Sequence, residues 1–176
     1  MSIAKRKGKY LFVIDIQYAF INKYTEPTVN KIIEFIKRNK CIYDKIVITR
    51  YVNDESSACY KILNWKDCMR EDSNSSIVKG INSLGDILLE KSTYSCFTGV
   101  NKEILRNIEE AHFVGFNTDA CVLASVIECF DLGVKPVIIS DLVASTEGDE
   151  YTSYILRGIK KAIGEDNIKS SVEVGK

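Results

Sequence analysis

The sequence contains a carboxylate, an ammonium group and a thiol that each follow a short run of apolar residues. Asp15 ends one such run, Lys91 follows another, and Cys121 comes shortly after a third. In an open parallel sheet, ligands bind in the crevice beyond the carboxyl ends of the strands, so these three side chains are predicted to face one crevice. A thiol beside a base and a cation is suited to nucleophilic catalysis.

Cys121 is predicted to lie in the first turn of a helix, where Thr118 or Asp119 can accept hydrogen bonds from free backbone amides. The partial positive charge at a helix N-terminus favours a thiolate, so we expect a lowered thiol pKa. The alternative is a buried structural cysteine, which is our interpretation of Cys129 on the same helix. Position alone leaves both interpretations open, and the predicted neighbours of Cys121 favour the nucleophile.

His112 is the only histidine in the chain and the usual kind of base for a catalytic thiol. Four strand residues at about 3.3 Å each place it about 13 Å from the sheet edge where Cys121 lies. We therefore interpret His112 as a structural residue at the start of its strand. The proton acceptor is then a carboxylate, for which Asp15 is best placed, while the Lys91 ammonium group stabilises the thiolate.

Apolar runs that alternate with amphipathic segments indicate the elements that position these groups. Runs rich in Val, Ile and Phe are typical of strands buried on both faces of a parallel sheet. Alternation with helices predicts an α/β protein, a three-layer α/β/α Rossmann-like fold with a mainly parallel sheet of about five to six strands. The predicted strands are 10–15, 45–49, 87–90, 112–116 and 135–140, and the predicted helices are 27–40, 101–110, 120–132 and 151–163.

Residues 51–86 interrupt this alternation and are predicted to form a long excursion over the sheet, with Trp65 near its middle. Long loops of this kind usually carry or cover a binding site. The 176 residues contain neither an internal repeat nor a linker, so we predict a single domain over residues 1–176.

Composition argues against several classes of protein. Hydrophobic residues make up 45% and the formal net charge is zero, which is typical of a globular chain without a field that attracts nucleic acid. The basic cluster within residues 5–9 is interpreted as a solvated leader. We find neither a bilayer-spanning run of about 18 apolar residues nor a signal peptide. We therefore expect a cytoplasmic protein with mostly reduced cysteines, a small-molecule substrate, and no nucleic-acid or membrane partner.

Three segments are similar, in order, to motifs of the isochorismatase-like cysteine hydrolases, which include nicotinamidases and N-carbamoyl amidohydrolases. Residues 11–20, LFVIDIQYAF, resemble the first-strand motif, and residues 90–97, EKSTYSCF, resemble the lysine motif. Residues 115–122, GFNTDACV, resemble the nucleophile motif, the most specific of the three. The similarity runs from about Lys9 to Asp141, most of the chain.

The resemblance implies a catalytic triad of Asp15, Lys91 and Cys121. Cys121 would attack a carbonyl carbon to form a thioester that water then cleaves. The resemblance also implies an oxyanion hole made by the backbone amides of Asn117 and Cys121, with a cis peptide bond between Phe116 and Asn117. A strained turn that aims two amides at a developing oxyanion lowers the barrier by about 3 kcal/mol. The family also suggests a homodimer or larger homo-oligomer.

The sequence departs from the nicotinamidases, which hold a metal with an Asp-x-His pair and a further histidine after the second strand. Residues 49–54 here read TRYVND, and a single histidine cannot build that site. We therefore predict no catalytic metal and no cofactor, and do not expect nicotinamide as substrate. Arg50, Tyr51 and Asn53 either contact a polar part of the substrate or lie in a surface loop. The expected substrate-binding residues are Gln17, Phe20, Arg50, Trp65 and Tyr94.

The leading hypothesis is a metal-independent cysteine hydrolase that cleaves a C–N bond of a small amide or carbamoyl compound. One alternative keeps the fold but cleaves a vinyl ether, as isochorismatases do, which need not use the thiol. Another is a catalytically idle member that binds a metabolite or serves as a scaffold. The presence of all three triad residues counts against the idle member.

Overall fold

A six-stranded parallel sheet forms the centre of the computed structural model, which describes residues 8–98 and 106–175. The strands are β1 Gly8–Ile14, β2 Lys45–Tyr51, β3 Ile87–Lys91, β4 Ile108–Phe116, β5 Lys135–Ala144 and β6 Ile168–Lys169. Their order is β3-β2-β1-β4-β5-β6, and each neighbouring pair is parallel. The direction of the connections therefore reverses between β1 and β4, the place where such sheets open a ligand crevice.

Helices connect these strands. The longest helices begin with acidic residues and end with basic ones, as the helix dipole favours. In residues 8–98 and 106–175, no helix is long and apolar enough to cross a bilayer. The α-helices are α1 Glu26–Asn39, α2 Ala58–Leu63, α3 Leu123–Asp131, α4 Asp149–Ile163 and α5 Ser171–Val174; single 3-10 turns cover Tyr18–Phe20, Lys40–Ile42, Ser73–Ser75, Asn82–Leu84 and Glu165–Asn167, and a π-helical turn covers Thr118–Val122.

The two faces of the sheet carry separate apolar layers because side chains alternate along each strand. Phe12 of β1 packs in a cluster with residues of α3 and α4, including Val126 and Ile159. Its neighbour Leu11 packs on the opposite face against α1, through residues such as Ile32. The predicted three-layer α/β/α fold is confirmed, and the sheet has six strands.

The structure corrects two predicted boundaries around β4. Of the predicted helix 101–110, residues 101–105 lie outside the described residues, and its last part is wrong because β4 already begins at Ile108. Ile108 pairs with Gly8 of β1, so pairing across the sheet overrides the local helical pattern. Because of the earlier start, His112 lies within β4 and not at its beginning.

The excursion between β2 and β3 folds over the carboxyl end of the sheet. It contains α2 and two 3-10 turns, and it contributes Cys59 and Cys68 to a small apolar cluster with Tyr51 of β2. Phe20 and Trp65 pack against this cluster. The excursion therefore covers the sheet edge where the strand order reverses.

Candidate active site

The carboxyl ends of β1 and β4 approach each other closely at the crevice. Gly115 of β4 pairs with Ile14 of β1, and a Cβ atom on Gly115 would lie 2.2 Å from the Ile14 carbonyl oxygen. Immediately beyond, Asp15 and Asn117 both adopt the left-handed conformation, with φ of 47° and 59°. Such backbone conformations cost about 1 kcal/mol or more each, and they turn both chains out of the sheet at the same point.

Asp15 is fully buried and accepts hydrogen bonds on both carboxylate oxygens. The Lys91 ammonium group lies 2.6 Å from Oδ2, and the Thr49 hydroxyl donates to Oδ1 over 2.6 Å. Thr49 also accepts a hydrogen bond from the Asp15 amide at 3.0 Å. Three parallel neighbours, β1, β2 and β3, therefore fix the orientation of this carboxylate.

Lys91 uses all three of its ammonium protons in the buried site. Besides Asp15, it donates to the carbonyl oxygens of Thr93 at 2.9 Å and Tyr94 at 3.1 Å. Its Nζ also lies 5.2 Å from the centroid of the Tyr51 ring, within range of a cation–π interaction. Burial lowers the pKa of Lys91, but the charges of Asp15 and of a Cys121 thiolate outweigh burial and raise it above its usual value. Lys91 is therefore a permanent cation.

Cys121 lies in the π-helical turn that precedes α3, and it is only 4% exposed. Asp15 and Lys91 both act electrostatically on its thiol. Burial, followed by the negative charge of Asp15, raises the pKa of the Cys121 thiol well above its usual value, while Lys91 lowers it. The expected lowering of this pKa is therefore wrong for the free protein: the resting thiol is neutral and needs a proton acceptor when it attacks.

The turn before Cys121 also differs from expectation. Among the described residues no peptide bond is cis, so the Phe116–Asn117 bond is trans and the expected cis bond is wrong. The chain is instead reversed by the left-handed Asn117, whose carbonyl accepts the amides of Ala120 at 2.9 Å and Val122 at 3.1 Å. The second of these bonds spans five residues, which is why the turn is π-helical. Such turns are frequent at functional sites.

A cavity of about 170 Å³ opens beside the thiol. Four of its lining residues are aromatic, and the Trp65 ring centroid lies 5.7 Å from that of Tyr51 and 6.4 Å from that of Phe20. A cavity of this size and character holds a group about as large as a six-membered ring. The lining residues are Phe20, Tyr51, Cys59, Leu63, Trp65, Tyr94, Asn117, Ala120 and Cys121.

The structure brings Phe20, Trp65 and Tyr94 to the cavity, as expected for substrate-binding residues, but it corrects the expectation for Gln17. The Gln17 amide is fully buried and donates to the carbonyl oxygens of Tyr51 at 2.8 Å and Ser75 at 2.7 Å. Its oxygen accepts the Tyr51 amide at 2.7 Å. Gln17 therefore joins β2 to the excursion and lies outside the cavity lining.

Arg50 is also directed away from the cavity, because side chains alternate along β2 and Tyr51 takes the inward position. Its guanidinium pairs with Glu90 at 2.9 Å and donates to the Ser75 hydroxyl at 2.7 Å and carbonyl at 2.9 Å. These contacts occupy the Arg50 guanidinium group within the protein. The expectation that Arg50 contacts the substrate is corrected accordingly.

Sequence reasoning missed Thr49 and Cys59 as site residues. Thr49 lies in the predicted second strand, which is the neighbour of β1. Its hydroxyl group, in an otherwise mostly apolar strand, was the signal that could have identified it as a site residue. Cys59 lies on α2 and lines the cavity together with Tyr51 and Tyr94. The hydrogen bond with Cys59 and then burial raise the pKa of Tyr94 to about 12, so the phenol stays protonated. The sequence carries no signal for Cys59, because its position depends on the path of the excursion.

The residues that follow β2 do not fit a metal site. Asn53 is buried, and both polar atoms of its side-chain amide are engaged. Its nitrogen donates to the carbonyls of Trp65 and Asp67, and its oxygen accepts from the Ser57 hydroxyl. Within residues 8–98 and 106–175, no group of three or more His, Cys, Asp and Glu side chains is arranged to hold a metal ion. His112 pairs instead with Tyr43 at 2.9 Å, away from the cavity.

Comparison with known proteins agrees with this fold. The crystal structure of a nicotinamidase/pyrazinamidase from Bacillus subtilis has a TM-score of 0.78 at 20% identity, covering 92% of this chain and 99% of that chain. An N-carbamoylsarcosine amidase from Thermoplasma acidophilum has a TM-score of 0.77 at 23% identity, covering 93% and 96%. At these identities the likeness shows the fold alone.

The sequence itself shows the family. A curated relative, an uncharacterised isochorismatase family protein of Bacillus subtilis (strain 168), is 37% identical over 60 residues, which is 32% of this chain. The match spans 33%, about a third, of the length of that relative. The family model of the isochorismatase domain matches residues 9–165. The chain therefore belongs to the isochorismatase family, a family of hydrolases.

Proposed function

We propose that this hydrolase cleaves the C–N bond of a small amide or carbamoyl compound through a thioester on Cys121. The observation that carries the proposal is the buried Asp15–Lys91 ion pair, 2.6 Å between Oδ2 and Nζ, which acts on the pKa of the Cys121 thiol, a group that lines a largely apolar cavity. Burying an ion pair removes two charges from water and contributes little to stability. A buried carboxylate and ammonium group beside a thiol therefore favour a catalytic role.

In the first half of the proposed reaction, the Cys121 sulfur attacks the carbonyl carbon as its proton passes to the Asp15 carboxylate. The carbonyl oxygen becomes an oxyanion, which the amides of Asn117 and Cys121 stabilise. The C–N bond then breaks, and Asp15 returns its proton to the leaving nitrogen. An acyl-thioester remains on Cys121, and Asp15 is again ionised.

In the second half, water attacks the thioester carbon and gives a proton to Asp15. The C–S bond breaks, and Asp15 returns that proton to the Cys121 sulfur. Lys91 keeps its proton throughout, because its cationic form stabilises the negative charge that moves between Asp15 and the sulfur. Thr49 holds Asp15 in one orientation at both stages. No step requires a metal.

The relatives and the cavity agree with a small substrate. The structural neighbours include a nicotinamidase/pyrazinamidase and an N-carbamoylsarcosine amidase, and an amide or carbamoyl C–N bond is the linkage common to those names. The cavity walls Phe20, Leu63 and Trp65 offer apolar surface to the acyl group. We propose no metal and no cofactor for this reaction, since Asn53 and its neighbours lack the ligands for one.

The test is ammonia release from a panel of small primary amides, ureas and carbamoyl compounds, with wild type and Cys121→Ala. We expect Cys121→Ala to lose turnover by about 1,000-fold or more on every substrate that wild type cleaves. Mass spectrometry of quenched wild type is expected to detect the acyl adduct on Cys121. Turnover retained by Cys121→Ala would rule out the thioester route, and no turnover by wild type on the whole panel would leave the vinyl-ether hydrolase and the idle member as the alternatives.

A further inference from the structure

The buried side chain of Asn53 fills its entire hydrogen-bonding capacity within the excursion. Its Nδ2 donates to the carbonyl oxygens of Trp65 at 2.8 Å and Asp67 at 3.1 Å. Its Oδ1 accepts from the Ser57 hydroxyl at 2.5 Å, the Asp54 amide at 3.1 Å and, more weakly, the Tyr51 hydroxyl at 3.4 Å. An amide that satisfies every donor and acceptor in a buried position fixes its neighbours strongly.

These partners belong to three separate segments of the cavity wall. The Trp65 carbonyl fixes the segment that carries the indole ring. The Ser57 hydroxyl, oriented by Asn53, accepts the Tyr60 amide at 3.0 Å and so begins α2, the helix that carries Cys59 and Leu63 into the cavity. The Tyr51 hydroxyl belongs to the end of β2. Asn53 is thus the common attachment point of the outer cavity wall.

The reacting groups are held by other means. Asp15, Thr49 and Lys91 are fixed by β1, β2 and β3 and by their mutual hydrogen bonds, none of which involves Asn53. We propose that Asn53 is the positioning residue for the acyl group: it sets the shape of the binding cavity and leaves the chemistry of Cys121 unchanged. The kinetic part of this proposal rests on the proposed function, because it assumes that the acyl group occupies this cavity.

A direct test of the wall uses Trp65, the only tryptophan in the chain, whose emission reports the wall without any substrate. The measurement is the emission maximum and acrylamide quenching in wild type, Asn53→Ala and Asn53→Asp. Aspartate keeps the size and the acceptor oxygen but cannot donate to the two carbonyls. It therefore removes the two hydrogen bonds that Asn53 donates and keeps the acceptor for those that it accepts. We expect a red shift and quenching about twofold stronger or more in both variants, since the carbonyls of Trp65 and Asp67 lose their donor.

The matched control is Asn74→Ala, the same change in the same excursion, where the Asn74 Oδ1 atom has no hydrogen-bond partner among the described residues. This control is expected to leave the Trp65 emission as in wild type. Circular dichroism checks folding, and Asn53→Asp serves as the test variant if Asn53→Ala does not fold. Trp65 emission and quenching unchanged in a folded Asn53 variant would overturn the proposal.

The kinetic arm compares KM and kcat on an amide that wild type cleaves. We expect KM to rise about tenfold or more in Asn53→Asp with kcat within about threefold of wild type, the pattern of lost ground-state binding. A fall in kcat with KM unchanged would show that Asn53 acts on the chemistry, and would overturn the positioning role. If wild type cleaves no amide, the proposed function fails alone, and the fluorescence arm still decides whether Asn53 fixes the wall.

Discussion

At the scale of single residues, the Cys121 thiol is held neutral until it reacts. Burial and the charge of Asp15 both act against the thiolate, and only Lys91 favours it. A neutral thiol in contact with a carboxylate can transfer its proton during the attack, so the protein avoids a permanent reactive anion in its resting state. Asp15 therefore disfavours the thiolate in the resting protein but accepts the thiol proton during the attack, and a substitution can separate these two effects.

Replacing Asp15 by Asn is expected to increase the reactivity of the thiol while it abolishes catalysis. The isosteric amide removes the negative charge that raises the thiol pKa, and Lys91 remains, so the pKa of Cys121 falls and more thiolate is present at pH 7. Iodoacetamide is therefore expected to alkylate Cys121 faster in Asp15→Asn than in wild type. Amide turnover is expected to fall by at least about 100-fold, because the general base and acid is lost.

Peptide mapping identifies the labelled cysteine, and Asp15→Asn combined with Cys121→Ala is the control for alkylation elsewhere. In wild type the rate is expected to rise with pH beyond neutrality, as the thiolate fraction grows. Slower labelling of Cys121 in Asp15→Asn would contradict the assignment of Asp15 as the group that raises the thiol pKa.

Thr49→Val tests the hydroxyl that orients Asp15. Valine has nearly the same shape but neither donates to Oδ1 nor accepts from the Asp15 amide, so a buried charge loses one of its donors. We expect kcat/KM to fall by about tenfold and the free energy of unfolding to fall by about 2 kcal/mol. Steady-state kinetics and urea unfolding measure the two effects.

Thr152→Val is the matched control for Thr49→Val. The buried Thr152 hydroxyl also accepts one amide, from Ser145 at 2.9 Å, and donates to one carbonyl, of Gly148 at 3.0 Å, away from the cavity. It is expected to lose similar stability with kcat/KM unchanged. Equal losses of activity in the two variants would mean that Thr49 acts only through stability.

At the scale of elements, five of the six strands and the main helices were predictable because their residues carry the signal themselves, whereas the two-residue β6 was not predicted. Apolar runs located five strands, and the residues after three of them included Asp15, Lys91 and Cys121. In the structure Asp15 and Lys91 form an ion pair that acts on the Cys121 thiol. The end of the predicted helix 101–110 was wrong because β4 already begins at Ile108, where it pairs with β1. Local pattern does not report a partner elsewhere in the chain.

The site details that escaped prediction depend on contacts between distant segments. Arg50 and Gln17 have the chemistry of ligand-binding residues, but partners from the excursion, chiefly Ser75, occupy them. The roles of Asn53 and Cys59 depend on how residues 52–86 fold, which no periodicity encodes. The trans peptide before Asn117 shows that a turn expected from family resemblance can be built by a left-handed residue instead.

Gly115→Ala tests the close contact between the ends of β1 and β4. A Cβ atom at Gly115 overlaps the Ile14 carbonyl at 2.2 Å, and φ is +124°, so both the contact and the backbone oppose a side chain. We expect a loss of about 3 kcal/mol or more in the free energy of unfolding. Turnover is also expected to fall, because the shift moves Asn117 and the turn that carries Cys121.

Gly133→Ala is the control for this prediction, since its φ of +74° is also left-handed but nothing lies within 4 Å of the added Cβ atom. It is expected to cost only about 1 kcal/mol and to leave turnover unchanged. Thermal unfolding and steady-state kinetics separate the two. Equal costs at Gly115 and Gly133 would show that backbone conformation, and not the contact with Ile14, limits this position.

At the scale of the whole molecule, one sheet supports two ends with different chemistry. The carboxyl end holds the proposed site. Toward the amino end, the buried His112 donates to the Glu110 carboxylate at 2.7 Å and accepts from the Tyr43 hydroxyl at 2.9 Å. Glu110 also pairs with Lys9 and Lys135. Because both apolar layers pack on the same strands, we predict that the chain unfolds in one cooperative transition, as a single domain would. The homodimer or larger homo-oligomer and the cytoplasmic location stay predictions.

The stability of the whole chain is expected to fall as the pH drops below about 6.5. Burial lowers the pKa of His112 from its usual 6.5, although Glu110 acts to raise it. The unfolded chain therefore binds a proton that the folded chain does not, so the free energy of unfolding decreases as pH falls through this range, by at most about 1.4 kcal/mol per pH unit. Partial burial acts to raise the pKa of Glu110, but its bonds to Lys135, His112 and Lys9 lower that pKa to about 2. Glu110 therefore weakens the fold only when the pH falls below 4.5, its usual pKa.

Urea unfolding at intervals from pH 8 to pH 5 measures this slope. His112 is the only histidine, so His112→Gln is expected to flatten the curve between pH 7 and pH 5 whatever its effect on stability at pH 8. The acid loss that begins near pH 4.5 is expected to remain, because Glu110 keeps its lysine partners. An undiminished slope in His112→Gln would contradict the argument, since no other side chain has its usual pKa in that range.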